Sequence, residues 1–305
     1  MKVFIVGGAG IVGSASAAYL AMRRIADEIV IQDLNENMAQ SHAMDLSQAG
    51  FLDSPAKIRF GGWPEAEHAD VVVIAAGLPA LQATHDSCKD ILAMRPLIRS
   101  IAAGVKQYCP EAVVLSMTNP LDAFNYMLYR ESGLPARQFI AMSVNDSLRF
   151  RWALAEHLGI SADRVDAFVI GEHNPQKIRL FSTVTVDGKR VAFSEAEQQE
   201  ILQDADRWWK RFLDVSGART AAWTTGSSCG LTVAHLAGQQ TGPICCSYIA
   251  EDGLSIGWPV YLDRTGVTAP AELDLTPAEA ERFERAKAQA RASITEVMAY
   301  WDQHP

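Results

Sequence analysis

Several residue patterns are missing from this 305-residue sequence. Its cysteines (Cys88, Cys109, Cys229, Cys245 and Cys246) form an odd, sparse set without a C-x-x-C pair. This pattern indicates a reducing compartment and not a disulfide framework. No cluster of cysteine and histidine has the spacing of zinc ligands, so we expect no metal site. The 36 acidic and 27 basic residues give a net charge of −9, which argues against binding a nucleic-acid backbone.

Long apolar runs are also scarce. Lys2 followed by the uncharged segment 3–22 superficially resembles a secretory signal, but Gly8, Gly10 and Gly13 interrupt it where a strand must turn into a helix. No other segment approaches the roughly 18 uninterrupted apolar residues of a membrane span. We therefore expect a cytoplasmic protein with neither an export signal nor a membrane partner.

The first half of the chain alternates short apolar runs with helical stretches. Continuous apolar runs are typical of parallel strands that are covered on both faces. Strands are predicted at 3–6, 29–31, 71–75, 113–116 and 139–142, and helices at 14–24 and 90–108. This alternation predicts an α/β fold with a doubly wound parallel sheet.

The pattern changes after about residue 143. A helix is predicted at 147–158, strands at 167–170, 177–186 and 190–192 with a turn at Asp187-Gly188, and a further helix at 194–213. Thr276-Pro277-Ala278-Glu279 combines an N-cap, a helix-starting proline and a capping-box glutamate, so a last helix should run to about Trp301. No linker is visible. We predict two tightly packed domains, residues 1–143 and 144–305.

A dinucleotide site is predicted at the first strand–helix junction. Gly8-Ala9-Gly10-Ile11-Val12-Gly13 is a G-x-G-x-x-G whose glycines permit a tight turn and close approach of a pyrophosphate to the backbone. Asp33, at the end of the second strand, can accept hydrogen bonds from the ribose hydroxyls, although it could also be an ordinary turn residue. Residues 32–37 contain no arginine or lysine, which favours NAD over NADP.

Taken together, several motifs resemble the lactate/malate dehydrogenase family of 2-hydroxy-acid dehydrogenases. They are the glycine turn with Asp33, Met44-Asp45-Leu46, Ala76-Gly77-Leu78-Pro79, Thr118-Asn119-Pro120-Leu121-Asp122, Asn145-Asp146-Ser147-Leu148-Arg149-Phe150-Arg151, Gly171-Glu172-His173, Pro243-Ile244-Cys245-Cys246-Ser247 and Gly257-Trp258-Pro259-Val260. The resemblance implies a Rossmann domain followed by a mixed α+β substrate domain. It also implies a homodimer or homotetramer, a small 2-hydroxy or 2-oxo acid as substrate, and cofactor contacts at Ala76, Gly77 and Asn119.

The resemblance also implies the catalytic roles. Reduction of a ketone needs a proton for the oxygen while hydride reaches the carbon, and a histidine can serve both directions near neutral pH. His173 would carry that proton, Asp146 would orient the ring, and Arg149 would grip the substrate carboxylate with two parallel bonds. Asn119 would bind near the reacting oxygen. The plainer alternative is that His173 is an ordinary histidine and that Arg149 pairs with an acid on its own helix.

One segment departs from the family. In the family, the loop after the alanine-glycine turn carries two arginines. In this sequence Ala80 stands at the position of the first arginine, and the position of the second is taken by Asp86 or, if the loop is longer, by Cys88. A positive group aimed at a developing oxyanion can contribute about 3–4 kcal/mol. Either the protein acts on a different acid in a rearranged pocket, or it is a family member that binds NAD without turnover.

Arg219 is the candidate replacement for the missing charge. In the segment 217–222 it occupies what resembles the family's small or hydroxyl-bearing pocket position. We expect it to contact a second carboxylate or the carbonyl oxygen of the substrate. The alternative is a surface arginine that the alignment misplaces. A second departure lies beside the histidine, where Asn174-Pro175 replaces the family's usual glycine-aspartate.

Overall fold

The computed structural model describes residues 1–50, 54–78, 86–216 and 220–303. In the first half of the chain the elements are β1 (Lys2–Val6), α1 (Ile11–Met22), β2 (Glu28–Gln32), α2 (Glu36–Gly50), β3 (Lys57–Phe60), β4 (Val71–Ile74), α3 (Ser87–Ala93), α4 (Arg95–Tyr108), β5 (Val113–Ser116), α5 (Leu121–Ser132) and β6 (Phe139–Ala141). Strands and helices thus alternate, as the apolar runs predict.

The second half begins with α6 (Val144–Leu158), directly after β6. It continues with β7 (Val165–Ile170), β8 (Ile178–Val186), β9 (Lys189–Arg190), α7 (Glu195–Ser216), α8 (Ala222–Leu236), β10 (Ile244–Ile249), β11 (Ser255–Asp263), β12 (Gly266–Pro270) and α9 (Pro277–Gln303). Strands β7, β8 and β9 form a separate antiparallel sheet, with β8 in the middle.

The main sheet of the described residues has the strand order β12-β11-β10-β6-β5-β4-β1-β2-β3. The six strands from β6 to β3 are parallel, and β10, β11 and β12 add an antiparallel extension next to β6. The order reverses between β1 and β4. In such doubly wound sheets the ligand crevice opens at the carboxyl ends of the two strands that flank the reversal. The fold class predicted from the sequence is therefore confirmed.

Apolar layers cover both faces of the parallel strands. All four residues of β4 and of β5 are buried, because helices lie above and below them. On one face the core includes Val233 of α8, and on the other it includes Val297 and Trp301 of α9. The last helix therefore packs against the first half of the chain. Since β10–β12 also join the first sheet, the two halves are packed together, and the boundary at residue 143 stays a prediction.

Some elements differ from the prediction. The single helix expected at 90–108 is two helices separated at Met94, because Pro96 lacks a backbone N–H and suits the first turn of a new helix. The strand expected at 190–192 is confined to Lys189–Arg190. The hairpin turn is present, with positive φ at Asp187 (50°) and Gly188 (75°).

The capping box at the last helix is confirmed. The Thr276 backbone N–H donates to Glu279 Oε2 at 2.9 Å, and the Glu279 backbone N–H donates to Thr276 Oγ1 at 3.3 Å. These two bonds satisfy N–H groups that the first turn of a helix otherwise leaves unpaired. Helix α9 accordingly begins at Pro277, as the sequence predicts.

The cysteines are all free and buried. Cys245 and Cys246 lie on β10, and burial raises the pKa of the Cys245 thiol to about 12. Within the described ranges, no helix is long and apolar enough to cross a membrane. The same ranges hold no group of three or more histidine, cysteine, aspartate or glutamate side chains arranged as metal ligands.

Candidate active site

The glycine turn lies between β1 and α1, at the carboxyl edge of the parallel sheet. The Gly7 and Gly8 backbone N–H groups donate to Gln32 O, at 3.0 and 2.9 Å, which ties the turn to the end of β2. A Cβ atom on Gly13 would lie 2.4 Å from Gly7 O and 2.6 Å from Gly8 Cα. The turn and the helix therefore pack too closely for any side chain at position 13. This is the close helix–strand packing that the motif predicts.

Asp33 follows β2 and faces this turn. Its Oδ2 accepts from the Ala9 backbone N–H at 3.0 Å, and its Oδ1 accepts from the Asn35 backbone N–H at 3.0 Å. Each carboxylate oxygen has two acceptor sites, so one site on each oxygen is still available for a ribose hydroxyl. The glycine cradle and this carboxylate fit the pyrophosphate and ribose of NAD.

The neighbouring edge strands complete the crevice. Thr118, after β5, donates from Oγ1 to Ala76 O at 2.7 Å and thereby holds the segment that follows β4. A Cβ atom on Gly77 would lie 2.5 Å from Thr118 Cγ2, so the two segments touch. Asn119 is exposed beside them. Ala76, Gly77 and Asn119 thus lie at the carboxyl ends of β4 and β5, where a cofactor would reach them, and their contacts with it stay predictions.

The histidine and the aspartate of the predicted relay are in contact. Asp146 lies in the first turn of α6, and its side chain is only 4% exposed. His173 lies between β7 and β8 and donates from Nδ1 to Asp146 Oδ2 at 2.5 Å. A carboxylate can only accept, so this bond requires the proton on Nδ1. Nε2 is then the ring nitrogen that can exchange a proton with a substrate.

Two further cations surround the Asp146 carboxylate. Lys177 Nζ lies 2.9 Å from Asp146 Oδ1, and Arg149 Nη1 lies 3.9 Å from the same oxygen. Burial by itself favours the neutral acid. The positive charges and hydrogen bonds of His173 and Lys177 outweigh this effect and hold the pKa of Asp146 well below its usual range. The carboxylate is therefore ionised at neutral pH.

A buried acid fixes the backbone of the histidine. Asp122, in the first turn of α5, accepts the His173 backbone N–H on Oδ2 at 2.8 Å and the Ser247 hydroxyl on Oδ1 at 2.5 Å. Ser247 in turn hydrogen-bonds Ser255, which accepts from Asn125 Nδ2 at 3.0 Å. Burial raises the pKa of Asp122, and the two donated bonds oppose that rise. This network connects His173 to β5, through Asn119 and Pro120, and to the antiparallel strands β10 and β11.

Gly171 allows the histidine segment to leave β7 at this angle. Its φ is +93°, a conformation that favours glycine. It forms two backbone bonds with Gly257 of β11, at 2.9 and 3.1 Å, and a Cβ atom on Gly257 would lie 2.6 Å from Gly171 O. The two sheets therefore meet directly next to Glu172 and His173.

Glu172 has an environment that resists ionisation. Burial and the negative charge of Asp122 raise the pKa of Glu172 to about 7, against a hydrogen bond from Asn174 Nδ2. The folded protein therefore binds the carboxyl proton of Glu172 more strongly than the unfolded chain does. Where the folded-state pKa of an acid is raised, the free energy of unfolding falls as the pH rises from the unfolded pKa to the folded one.

We expect Glu172→Gln to remove part of the loss of stability between pH 5 and pH 8. Glutamine can still accept the bond from Asn174 but cannot ionise. After allowance for solvent screening of this half-buried group, wild type should lose about 1–2 kcal/mol more than the variant over this interval. Urea unfolding at both pH values measures the difference. Glu200→Gln, at an exposed position on α7, is the control, and an identical pH dependence of wild type and Glu172→Gln would contradict the prediction.

The remaining predicted residues are placed as follows. Arg151, which belongs to the same motif as Arg149, pairs with Asp166 at 3.3 Å. Arg219 and Ala80 lie outside the described residues, so the hypothesis about Arg219 stays a prediction. Asp86 caps α3 by accepting the backbone N–H groups of Cys88 and Lys89, both at 3.1 Å.

Sequence reasoning missed Lys177 and the function of Asp122. Asp122 was part of a recognised motif, but the motif alone does not show that its carboxylate holds the His173 backbone. The only signal for Lys177 was a positive charge four residues after His173. Because residues 173–177 form neither a helix nor a strand, a separation of four residues does not indicate that the two side chains point the same way.

The chain is similar in sequence to known proteins of one family. Residues 1–141 match the model of the lactate/malate dehydrogenase NAD-binding domain. A malate dehydrogenase of Haloferax volcanii is 30% identical over 310 residues, which cover 97% of this chain and 99% of that protein. An L-lactate dehydrogenase of Halalkalibacterium halodurans is 30% identical over 293 residues, 93% of each.

The fold is also similar to that of a solved structure from this family. The lactate dehydrogenase of Cryptosporidium parvum, in complex with lactic acid and nicotinamide adenine dinucleotide, has a TM-score of 0.90 and 27% identity. The match covers 100% of this chain and 98% of that one. This chain therefore belongs to the lactate/malate dehydrogenase family, and its cofactor is NAD. Malate and lactate enzymes are similar to it to the same degree, so similarity alone does not choose the substrate.

Proposed function

We propose that this protein is an NAD-dependent dehydrogenase that interconverts a small 2-hydroxy acid and the corresponding 2-oxo acid. The hydrogen bond from the His173 backbone to Asp122 carries the proposal. Asp122 lies in the first turn of the helix that follows Asn119, so this bond holds the histidine near the carboxyl end of β5. A group that exchanges protons near neutral pH is thereby held at the edge of the sheet where NAD binds.

The side chains would divide the reaction as follows. NAD, when bound, supplies the site that accepts or delivers hydride. His173 exchanges the hydroxyl proton through Nε2, while Asp146 fixes Nδ1 and stabilises the charged ring. Arg149 grips the substrate carboxylate through two parallel hydrogen bonds and so orients the carbon that reacts. Asn119 adds a hydrogen bond near the reacting oxygen.

Arg149 contributes in spite of its burial. Burial lowers the pKa of its guanidinium, and the neighbouring Asp146 opposes that effect. An arginine side chain nevertheless stays charged in proteins. At 3.9 Å its Nη1 is too far from Asp146 Oδ1 for a normal hydrogen bond. The contact is therefore a loose ion pair on its own helix, and the planar guanidinium has the donor geometry that suits a carboxylate.

A second candidate function is NAD binding without turnover. It is favoured by the sequence of the loop at 76–90, in which neither family arginine occurs. The retained pairing of His173 with Asp146 opposes it, since a protein that only binds NAD has no need to hold a proton-exchanging pair at this edge. Binding and turnover measurements on the same protein separate the two candidates.

The test is the oxidation of NADH in the presence of a panel of 2-oxo acids that includes oxaloacetate, pyruvate and branched 2-oxo acids. We expect turnover with at least one of them, and weaker activity with NADPH, because the carboxylate of Asp33 repels a 2′-phosphate. Tight binding of NADH without turnover across the panel would favour the second candidate. Absence of NADH binding would contradict both.

The chain is also proposed to assemble as a homodimer or homotetramer in the cytoplasm. Large apolar side chains lie exposed on its surface, among them Met44 on α2 (61%) and Trp223 on α8 (83%). Apolar side chains of this size are common in subunit interfaces. Light scattering coupled to gel filtration gives the mass in solution, and a monomeric mass would contradict this proposal.

A further inference from the structure

Lys177 is a charged residue of the site that has no role in the mechanism above. It precedes β8 by one residue, and its Nζ lies 2.9 Å from Asp146 Oδ1. Its side chain is 21% exposed, similar to the 20% of His173. The ammonium is therefore directed inward, onto the aspartate that holds the histidine.

The two oxygens of Asp146 have different partners. Oδ2 accepts from His173 Nδ1 at 2.5 Å, and Oδ1 faces Lys177 at 2.9 Å. Arg149 is a full ångström farther away, at 3.9 Å, so Lys177 is the principal partner of Oδ1. A single buried carboxylate thus lies beside a lysine, an arginine and the imidazole ring.

An exposed ion pair of the same length would contribute little to stability or function. This one is different because the carboxylate is almost completely buried, where charges interact through a low effective dielectric. A cation on one oxygen draws electron density from the other and adds its own repulsion at the imidazole. A cation held at Oδ1 also opposes rotation of the carboxylate, and such a rotation would weaken the bond to Nδ1.

We infer that Lys177 is a positioning residue of the active site, which locks the second oxygen of Asp146 and reduces the negative potential that Asp146 presents to the His173 ring. Its contribution to catalysis rests on the proposed dehydrogenase function. Lys177 thereby offsets part of the attraction of the Asp146 carboxylate for the ring proton of His173. A carboxylate with no cation on Oδ1 would hold that proton more strongly.

The other charged or titratable groups near this dyad come from several elements. Those within the described ranges are Arg149 on α6, Asp122 on α5, Cys245 on β10 and Glu172 next to the histidine itself. Burial raises the pKa of Glu172 to about 7, so its charge also changes near neutrality. The titration of His173 must therefore be compared between proteins that all retain Glu172.

The test compares Lys177→Met, Lys177→Gln and Lys177→Arg with wild type. Methionine and glutamine keep most of the length of the side chain without its charge, while arginine restores the charge. Lys287→Met is the matched control, because Lys287 pairs with Glu284 on α9 at 2.6 Å with 29% exposure, outside the site. The first readout is an NMR titration of the His173 ring, assigned by its loss in His173→Gln.

We expect both uncharged variants to raise the pH midpoint of the His173 titration by about one unit. Lys177→Arg should restore the wild-type midpoint at least in part, and Lys287→Met should not change it. An unchanged midpoint in folded Lys177→Met or Lys177→Gln would overturn the inference, as would a shift that Lys287→Met reproduces. This readout needs no turnover, so it stays valid even if the proposed function fails.

The second readout is the pH profile of turnover with the 2-oxo acid that wild type reduces fastest. Because reduction requires the charged ring, the loss of kcat/KM on the alkaline side should move to higher pH by about the same one unit. The oxidation of the corresponding 2-hydroxy acid requires the neutral ring, so its rise with pH should move in the same direction. A general loss of activity with an unshifted profile would mean that Lys177 serves only the fold.

Discussion

Replacing His173 by asparagine is expected to lower kcat for 2-oxo acid reduction by about 10²–10⁴-fold, the usual contribution of a positioned acid–base group. Asparagine can still donate a hydrogen bond to Asp146, but it cannot exchange a proton near neutral pH. The Asp122 carboxylate binds the backbone N–H of residue 173 and not its ring, so that anchor remains in the variant. Steady-state oxidation of NADH measures the loss.

The control is His68→Asn, since the His68 side chain is 90% exposed and far from this chemistry. Binding of NADH, followed by its fluorescence, should be the same in wild type and in both variants, because the glycine turn and Asp33 do not involve His173. If the His173→Asn protein retains more than a tenth of the wild-type kcat, His173 is not the group that transfers the proton. The group that moves the proton would then have to be sought elsewhere.

Replacing Arg149 by lysine is expected to raise KM for the 2-oxo acid by about 10–100-fold. Lysine keeps the positive charge but cannot form two parallel bonds to one carboxylate, and the loss of a charged hydrogen bond corresponds to about 1.5–3 kcal/mol. The affinity for NADH should not change. A fall in kcat is expected as well, because a substrate held by one bond has more freedom to leave the reactive orientation.

Arg151→Lys is the matched control for this substitution. Arg151 lies on the same helix and also forms an ion pair, with Asp166 at 3.3 Å, but Asp166 is largely exposed. Its replacement should leave KM within about twofold of wild type, as expected for a surface pair. If Arg149→Lys and Arg151→Lys have the same KM, Arg149 does not bind the substrate carboxylate.

Much of the fold could be predicted because it depends on local signals. The run at β4 is apolar throughout and that at β5 is apolar up to Ser116, as covering on both faces favours, and the G-x-G-x-x-G sequence marks the junction between β1 and α1. The addition of β10 to the first sheet could not be predicted in this way. It depends on the pairing of Ser247 with Ala141, and periodicity does not report contacts between residues so far apart in the chain.

The candidate site was predictable to the extent that it resembles a family. That resemblance selected Asp146, Arg149 and His173, and the structure has Arg149 and His173 around the carboxylate of Asp146. It gave no role to Lys177, because the importance of that lysine comes from a contact between a helix and the segment before a strand. The helix break at Met94 was missed for a simpler reason: apolar residues at helical spacing continue across it.

Two serines on the antiparallel strands, Ser247 and Ser255, help to hold the backbone of His173 in position. Ser247 and Ser255 belong to neighbouring strands in the interior of the large sheet, and they reach residue 173 through a single carboxylate. Although His173 lies in a connection between strands, its main chain is thereby hydrogen-bonded, through Asp122, to the interior of the large sheet. If His173 transfers the proton as proposed, its backbone is already positioned before a substrate binds.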